Sequence, residues 1–205
     1  MRKRWSGCGR VVLLGLVLFV SACAAGTRRA APVAVRDESG FSITEDVKAS
    51  SEVRARFADA LRLLEQERFE RGISLLVEVT EAAPRATTAH IDLGIAYRQV
   101  NDLERAEASI KRAVELNPRH PVAHNELGIV YRKEGRFEDA RASYEKALAA
   151  HPDFHFARRN LGILCDVYLA DPDCAIRNYE LYSEAVPEDE AVAMWIADLR
   201  NRKGE

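Results

Sequence analysis

The stretch AHIDLGIAYRQVNDLERAEASIKRAVELNPRHPVAHNELGIVYRKEGRFEDARASYEKALAAHP, Ala89–Pro152, writes one pattern twice. His90, Leu93, Gly94, Tyr97, Leu103, Ala106, Ile110, Ala113 and Pro118 return as His124, Leu127, Gly128, Tyr131, Phe137, Ala140, Tyr144, Ala147 and Pro152, each 34 residues further on. A fixed period of that length marks an array built from one supersecondary unit. Leu93, Gly94 and Tyr97 stand three or four apart, the spacing of one helical face. Ala106, Ile110 and Ala113 do the same on a second helix. Small residues at Gly94, Ala106 and Ala113 let the two backbones approach, while Tyr97 and Ile110 fill the space between. Asn101-Asp102 and Glu134-Gly135 supply the turns, and Pro118 and Pro152 stop the second helices because proline has no N–H to donate. One such hairpin cannot bury its own apolar face, so the units must stack.

This spacing resembles the tetratricopeptide repeat family. The resemblance implies an all-α chain: a right-handed α-solenoid of about four helix hairpins over 51–187, closed by a capping helix over 188–205. The repeats fall at about 53–86, 87–120, 121–154 and 155–187. In the first, Ala60, Phe69, Gly72, Leu76, Val79 and Pro84 precede Gly94, Leu103, Ala106, Ile110, Ala113 and Pro118 by 34, with Leu63 at the tyrosine position. The fourth carries Leu161, Gly162, Cys165, Ala175, Tyr179 and Pro187, with one extra residue around Asp171-Pro172-Asp173, which predicts a longer hairpin turn. In the last segment Val192, Trp195, Ile196 and Leu199 share one face. That face suits a cap over the open apolar end, or Trp195 serves as a partner anchor.

The amino terminus has a separate character. Arg2, Lys3, Arg4 and Arg10 precede an apolar run, Val11–Val20, too short to span a bilayer comfortably. A basic start, a short apolar core and small residues before a cleavage point describe a signal peptide over 1–22. Val20-Ser21-Ala22-Cys23 resembles the bacterial lipobox. That implies diacylation of Cys23, a membrane-anchored lipoprotein and, with Ala24 rather than aspartate next, the outer membrane facing the periplasm. Residues 23–50 lack helical periodicity and read as a lipidated flexible tether; as a random coil it would span roughly 30 Å.

Charge and composition narrow the function. The full chain carries a net charge of −2, and the first 22 residues hold four basic and no acidic groups, leaving about −6 on the remainder. An acidic chain without a basic stripe argues against nucleic acid as a partner. No phosphate-cradling glycine loop, zinc-protease helix or nucleophile elbow is present, so no catalytic residue, cofactor or metal is expected. His90 and His124 occupy the place where the family often has tryptophan, and so are expected to pack between helices. Cys165 and Cys174 fall in a hairpin whose compartment would preserve a disulfide. Packed helix axes 8–10 Å apart and the roughly 7 Å limit for bridged α-carbons leave two readings open, a bond or two small buried residues.

Function is then expected in a surface. By register with the family, the first helix of each unit lines a concave groove where a peptide or helix of a protein partner docks. The positions are Ile91, Asp92, Ile95, Arg98 and Gln99, then Val122, Asn125, Glu126, Ile129, Arg132 and Lys133, then Phe156, Arg159, Asn160, Ile163 and Asp166. Ile95, Ile129 and Ile163 recur every 34 residues beside Arg98, Arg132 and Arg159, which suits a peptide with apolar anchors and some acidic character. The alternative is that the isoleucines only pack against neighbouring helices. The expected activity is a non-catalytic envelope scaffold. Within that class the chain resembles the tetratricopeptide-repeat lipoproteins that assist type IV pilus secretin assembly, although those carry more repeats. A second reading is a self-association module forming homo-oligomers through the solenoid ends.

Overall fold

The computed structural model describes residues 33–36, 42–45 and 49–204. The signal-peptide residues 1–22, the lipobox Cys23 and tether residues 24–32, 37–41 and 46–48 lie outside the described residues. Two short strands, β1 (Val33–Arg36) and β2 (Ser42–Glu45), pair antiparallel with Val33 opposite Glu45 and Arg36 opposite Ser42. Both strands fall within 23–50, the segment read from the sequence as a tether. The β-branched residues Val33, Val35, Ile43 and Thr44 favour extended backbone.

Nine helices follow among the described residues: α1 (Ser51–Glu65), α2 (Phe69–Ala82), α3 (Thr87–Gln99), α4 (Leu103–Leu116), α5 (Pro121–Lys133), α6 (Phe137–Ala150), α7 (His155–Ile163), α8 (Pro172–Ala185) and α9 (Glu190–Lys203). Side chains that accept from free first-turn amides fix several starts: Ser50 from Val53 N, Asp102 from Arg105 N, Asp171 from Cys174 N and Asp189 from Val192 N. Pro121 and Pro172 open their helices, where a missing N–H costs nothing. Each hairpin packs most closely within itself (α1 on α2, α3 on α4, α5 on α6, α7 on α8), then on the next helix in the chain. First helices also touch one another, α3 on α5 and α5 on α7, and α9 covers α8. The chain is an all-α solenoid, preceded by the strand pair.

A continuous core runs from Ala60 through Ala106, Ile110, Ala140, Tyr144, Leu161 and Tyr179 to Val192 and Leu199. The apolar face of α9 therefore closes the stack, with Trp195 set against Tyr179 at 5.4 Å between ring centres. Glycine at position 128 is a packing requirement: a Cβ there would lie 2.6 Å from Cε1 of the fully buried Tyr144. The two histidines tie adjacent repeats together. His124 Nε2 lies 2.8 Å from the Pro118 carbonyl, and His90 Nε2 3.2 Å from that of Pro84. Arg158, 34 residues beyond His124, reaches the Pro152 carbonyl in the same way.

The inserted residue of the fourth hairpin is handled differently from the expectation. All four hairpin turns keep three residues, and the middle one, Glu67, Asn101, Gly135 or Ala170, has positive φ in each. The extra residue is absorbed inside the first helix, which widens into a π-helical stretch over Leu164–Tyr168. The closing amide bonds show it. Asp102 N donates to Tyr97 O and Arg136 N to Tyr131 O, whereas Asp171 N reaches back one residue further, to Cys165 O.

Cys165 and Cys174 are joined as a disulfide with α-carbons 5.8 Å apart, one at the wide turn and the other at the start of α8. The helices converge at that end of the hairpin, so the average separation of packed axes does not apply. Both flanking carboxylates hold the cap: Arg202 meets Asp166 at 3.0 Å and Lys203 meets Asp173 at 2.7 Å. Replacing both cysteines by serine should lower stability by about 2.5 kcal/mol, from the entropy of the closed loop. The midpoint of urea unfolding should fall accordingly. Reductant should shift the wild type and leave the double variant unchanged.

Candidate partner-binding groove

The first helices α3, α5 and α7 carry the expected groove positions side by side, and the structure sorts them into two groups. Ile91 is 3% exposed, Asn125 4% and Glu126 8%. These three lie between neighbouring helices and are not available to a partner, which corrects their place in the expected contact set. The reason is the close approach of α3, α5 and α7, which encloses positions on their flanks. Ile95, Ile129 and Ile163 are half-buried and pack on the core with one edge left open. Gln99, Lys133 and Phe156 are exposed, while Asp92, Arg98, Val122, Arg132, Arg159, Asn160 and Asp166 are intermediate.

A polar chain links the buried group across repeats. Arg98 pairs with Glu126 at 3.0 Å, the Asn125 amide donates to Glu126 at 3.3 Å, and the Asn160 amide donates to the Asn125 carbonyl at 2.9 Å. Burial pushes the Glu126 carboxyl up, with Arg98 opposing. Burial first, then the nearby Glu126 charge, pushes Asp92 up to about 7. In this part of the groove these side chains pair with one another, while the buried Arg98 Nε has no hydrogen-bond partner among the described residues.

Nearer the cap the pattern changes. Arg159 lies over the Trp195 ring at 5.4 Å and 3.7 Å from Asp189, and Asp166 is taken by Arg202. Arg132 sits 5.8 Å from the Tyr168 ring centre and beside Tyr144, whose hydroxyl burial pushes up to about 12. Among the described residues no carboxylate lies within ion-pair distance of Arg132. Tyr168 and Met194 were missed by the sequence reading. Met194 stands 35 residues after Arg159, the 34-residue period plus the inserted residue, so the row Ile91, Asn125, Arg159 continues onto α9. Among the described residues the group of metal-type ligands is Cys165, Asp171 and Cys174, whose sulfurs are already committed to the disulfide.

Stacked helix hairpins presenting an open face of mixed charge and apolar groups define a solenoid scaffold for protein interaction. The chain belongs to the tetratricopeptide repeat family: the family model described as Tetratricopeptide repeat matches 57–121, 91–153 and 125–165, together more than half of the chain. Proteins of this family are protein-interaction scaffolds. Several solved structures share the fold. MamA (residue 41 to the end) from Desulfovibrio magneticus RS-1 is 21% identical with a TM-score of 0.65, covering 76% of this chain and 87% of its own. PilF of Pseudomonas aeruginosa is 20% identical with a TM-score of 0.68, covering 74% and 68%. A thermophilic repeat protein of Thermus thermophilus is 26% identical with a TM-score of 0.63, covering 73% and 81%. No curated protein sequence matches significantly. Among the described residues no helix is long and apolar enough to cross a membrane.

Proposed function

We propose that this chain is a non-catalytic, lipid-anchored scaffold of a bacterial envelope that holds a segment of a protein partner in its concave groove. The observation that carries the reading is the open row of first helices, with half-buried isoleucines and with Arg132, which has no carboxylate within ion-pair distance among the described residues. The lipid anchor is supported by the sequence Val20-Ser21-Ala22-Cys23. The likeness of the sequence to secretin-assembly lipoproteins, and of the fold to PilF, supports assembly of a pilus or another envelope complex as the setting.

Two measurements test it. Labelling of growing cells with radioactive palmitate should mark the wild type, and Cys23→Ala should lose the label and leave the membrane fraction; label retained in that variant would remove the anchor from the proposal. A photo-crosslinking amino acid placed at Ile95, Ile129 or Ile163 should trap one defined partner in native membranes. The same group at exposed Lys146 or Arg177, on second helices, should not. Equal trapping from both sets would rule out the groove.

A further inference from the structure

The second helices carry a cleft that the groove reading does not use. It opens between α4 and α6, beside the loop that leads into α5, and encloses about 570 Å³, inside the roughly 300–1,000 Å³ range of small-molecule sites. Val114, Pro118 and Ala149 supply apolar wall, and Arg119 and Lys146 bring two exposed cations to the same cleft. His124, 6% exposed, also lines it. Its Nε2 donates to the Pro118 carbonyl at 2.8 Å, which holds the loop carrying Arg119, while its buried Nδ1 has no hydrogen-bond partner among the described residues. A buried polar atom left over in this way calls for an explanation.

Neither cation is matched inside the protein. Among the described residues no carboxylate lies within ion-pair distance of Arg119 or Lys146. A helical carboxylate reaches a lysine from three or four positions away, and those positions around Lys146 hold Ala142, Ser143, Ala149 and Ala150. The neighbouring repeats have an acid at the place of Ala149. One repeat earlier it is Glu115, which takes Arg112, the equivalent of Lys146, at 2.8 Å. One repeat later it is Glu184, in a cleft where Asp153 stands for Arg119 and Leu181 for Lys146. Of these three equivalent places, only the one between α4 and α6 keeps two cations without an acid.

We propose that this cleft binds a small phosphate monoester with an apolar body. Such a group carries about −1.5 to −2 charge near neutral pH and three acceptor oxygens, enough for both cations at once. Arg119 offers it a planar fork and Lys146 a point charge. A single carboxylate would leave one of the two unmatched. Val114, Pro118 and Ala149 cover the apolar part. The same chemistry comes from two sources, a soluble phosphate ester or the headgroup of a phosphomonoester lipid. The cleft lies away from the concave groove, so the fate of one reading does not decide the other.

The test follows the amide NMR shifts of isotope-labelled, full-length protein in a non-ionic detergent during titration with phenyl phosphate, inorganic phosphate and water-soluble dibutanoyl phosphatidic acid, with phenol as the uncharged control. Phenyl phosphate should saturate and move the amides of Arg119, His124 and Ala149. Inorganic phosphate should move the same amides with weaker affinity, and phenol should leave them in place. Lys146→Glu and Arg119→Glu should each weaken binding by about tenfold or more, since each reverses a charge-assisted contact. Ala149→Glu, which writes in the acid of the neighbouring repeats at an exposed helical position, should do the same without loss of helicity. Arg177→Glu, on α8 outside the cleft, should leave binding unchanged. Tighter binding of dibutanoyl phosphatidic acid than of phenyl phosphate would identify the source as a lipid headgroup, and the reverse order a soluble ester. No saturation by either ester, equal binding of phenol, or affinity indifferent to Lys146→Glu and Ala149→Glu would overturn the site.

Discussion

Tyr144→Ala should lower the free energy of unfolding by about 3–5 kcal/mol, the cost of removing a large aromatic ring from a closed core. Tyr144 is fully buried at the centre of the third hairpin, and its ring lies where only a glycine at 128 leaves room. The hairpin cannot close the gap by sliding α5 towards α6, because Ala140 and Ala147 already bring the two backbones close. The hydroxyl contributes little beside the ring. Tyr144→Phe is therefore expected to stay within about 1 kcal/mol of wild type. Urea unfolding followed by helical circular dichroism measures both. A loss below about 1 kcal/mol for the alanine variant would mean that the third hairpin is not close-packed as described. Each repeat leans on its neighbours, so the alanine variant should also loosen the second and fourth hairpins, seen as faster amide exchange in α4 and α7.

The second large effect depends on pH. Asp92 on α3 is raised from 3.8 to about 7 by burial and by Glu126 on α5, whose own charge is partly met by Arg98. The native protein therefore keeps a proton on Asp92 that the unfolded chain has already released. Its contribution to stability is complete below the ordinary carboxylate range and declines as pH rises, levelling off above about 7. The full loss is at most about 4 kcal/mol, since each tenfold change in proton affinity between the two states is worth about 1.4 kcal/mol. Asp92→Asn mimics the protonated side chain, so its melting temperature should exceed that of wild type at pH 8 and approach it near pH 4. A variant no more stable than wild type at pH 8 would show that Asp92 is ionised in the folded protein without penalty.

The hairpins were readable because their positions repeat. Gly94 and Gly128 forecast the close approach of paired helices, and Pro118 and Pro152 forecast where they end, since both act through local backbone chemistry. The inserted residue of the fourth repeat was visible as a break in the period. Its location was not, because a turn and a widened helix both absorb one residue, and packing chose the helix. The Cys165–Cys174 bond depended on how far α7 and α8 converge at that end, a tertiary quantity. The expected groove positions fall on α3, α5 and α7, yet Ile91, Asn125 and Glu126 are enclosed because the spacing of these helices decides what remains open.

The succession of contacts, helix to next helix along the chain, has a mechanical meaning. A pull between the two ends of the solenoid passes through the hairpins one after another, as through springs joined end to end. The same tension reaches each, and the weakest gives way first. Among the described hairpins the one formed by α7 and α8 is riveted by a covalent bond and by ion pairs to the cap, so it would be the last to yield. The cap end would then keep its shape while the hairpins nearer the amino terminus released length, making the solenoid a shock absorber with a rigid end.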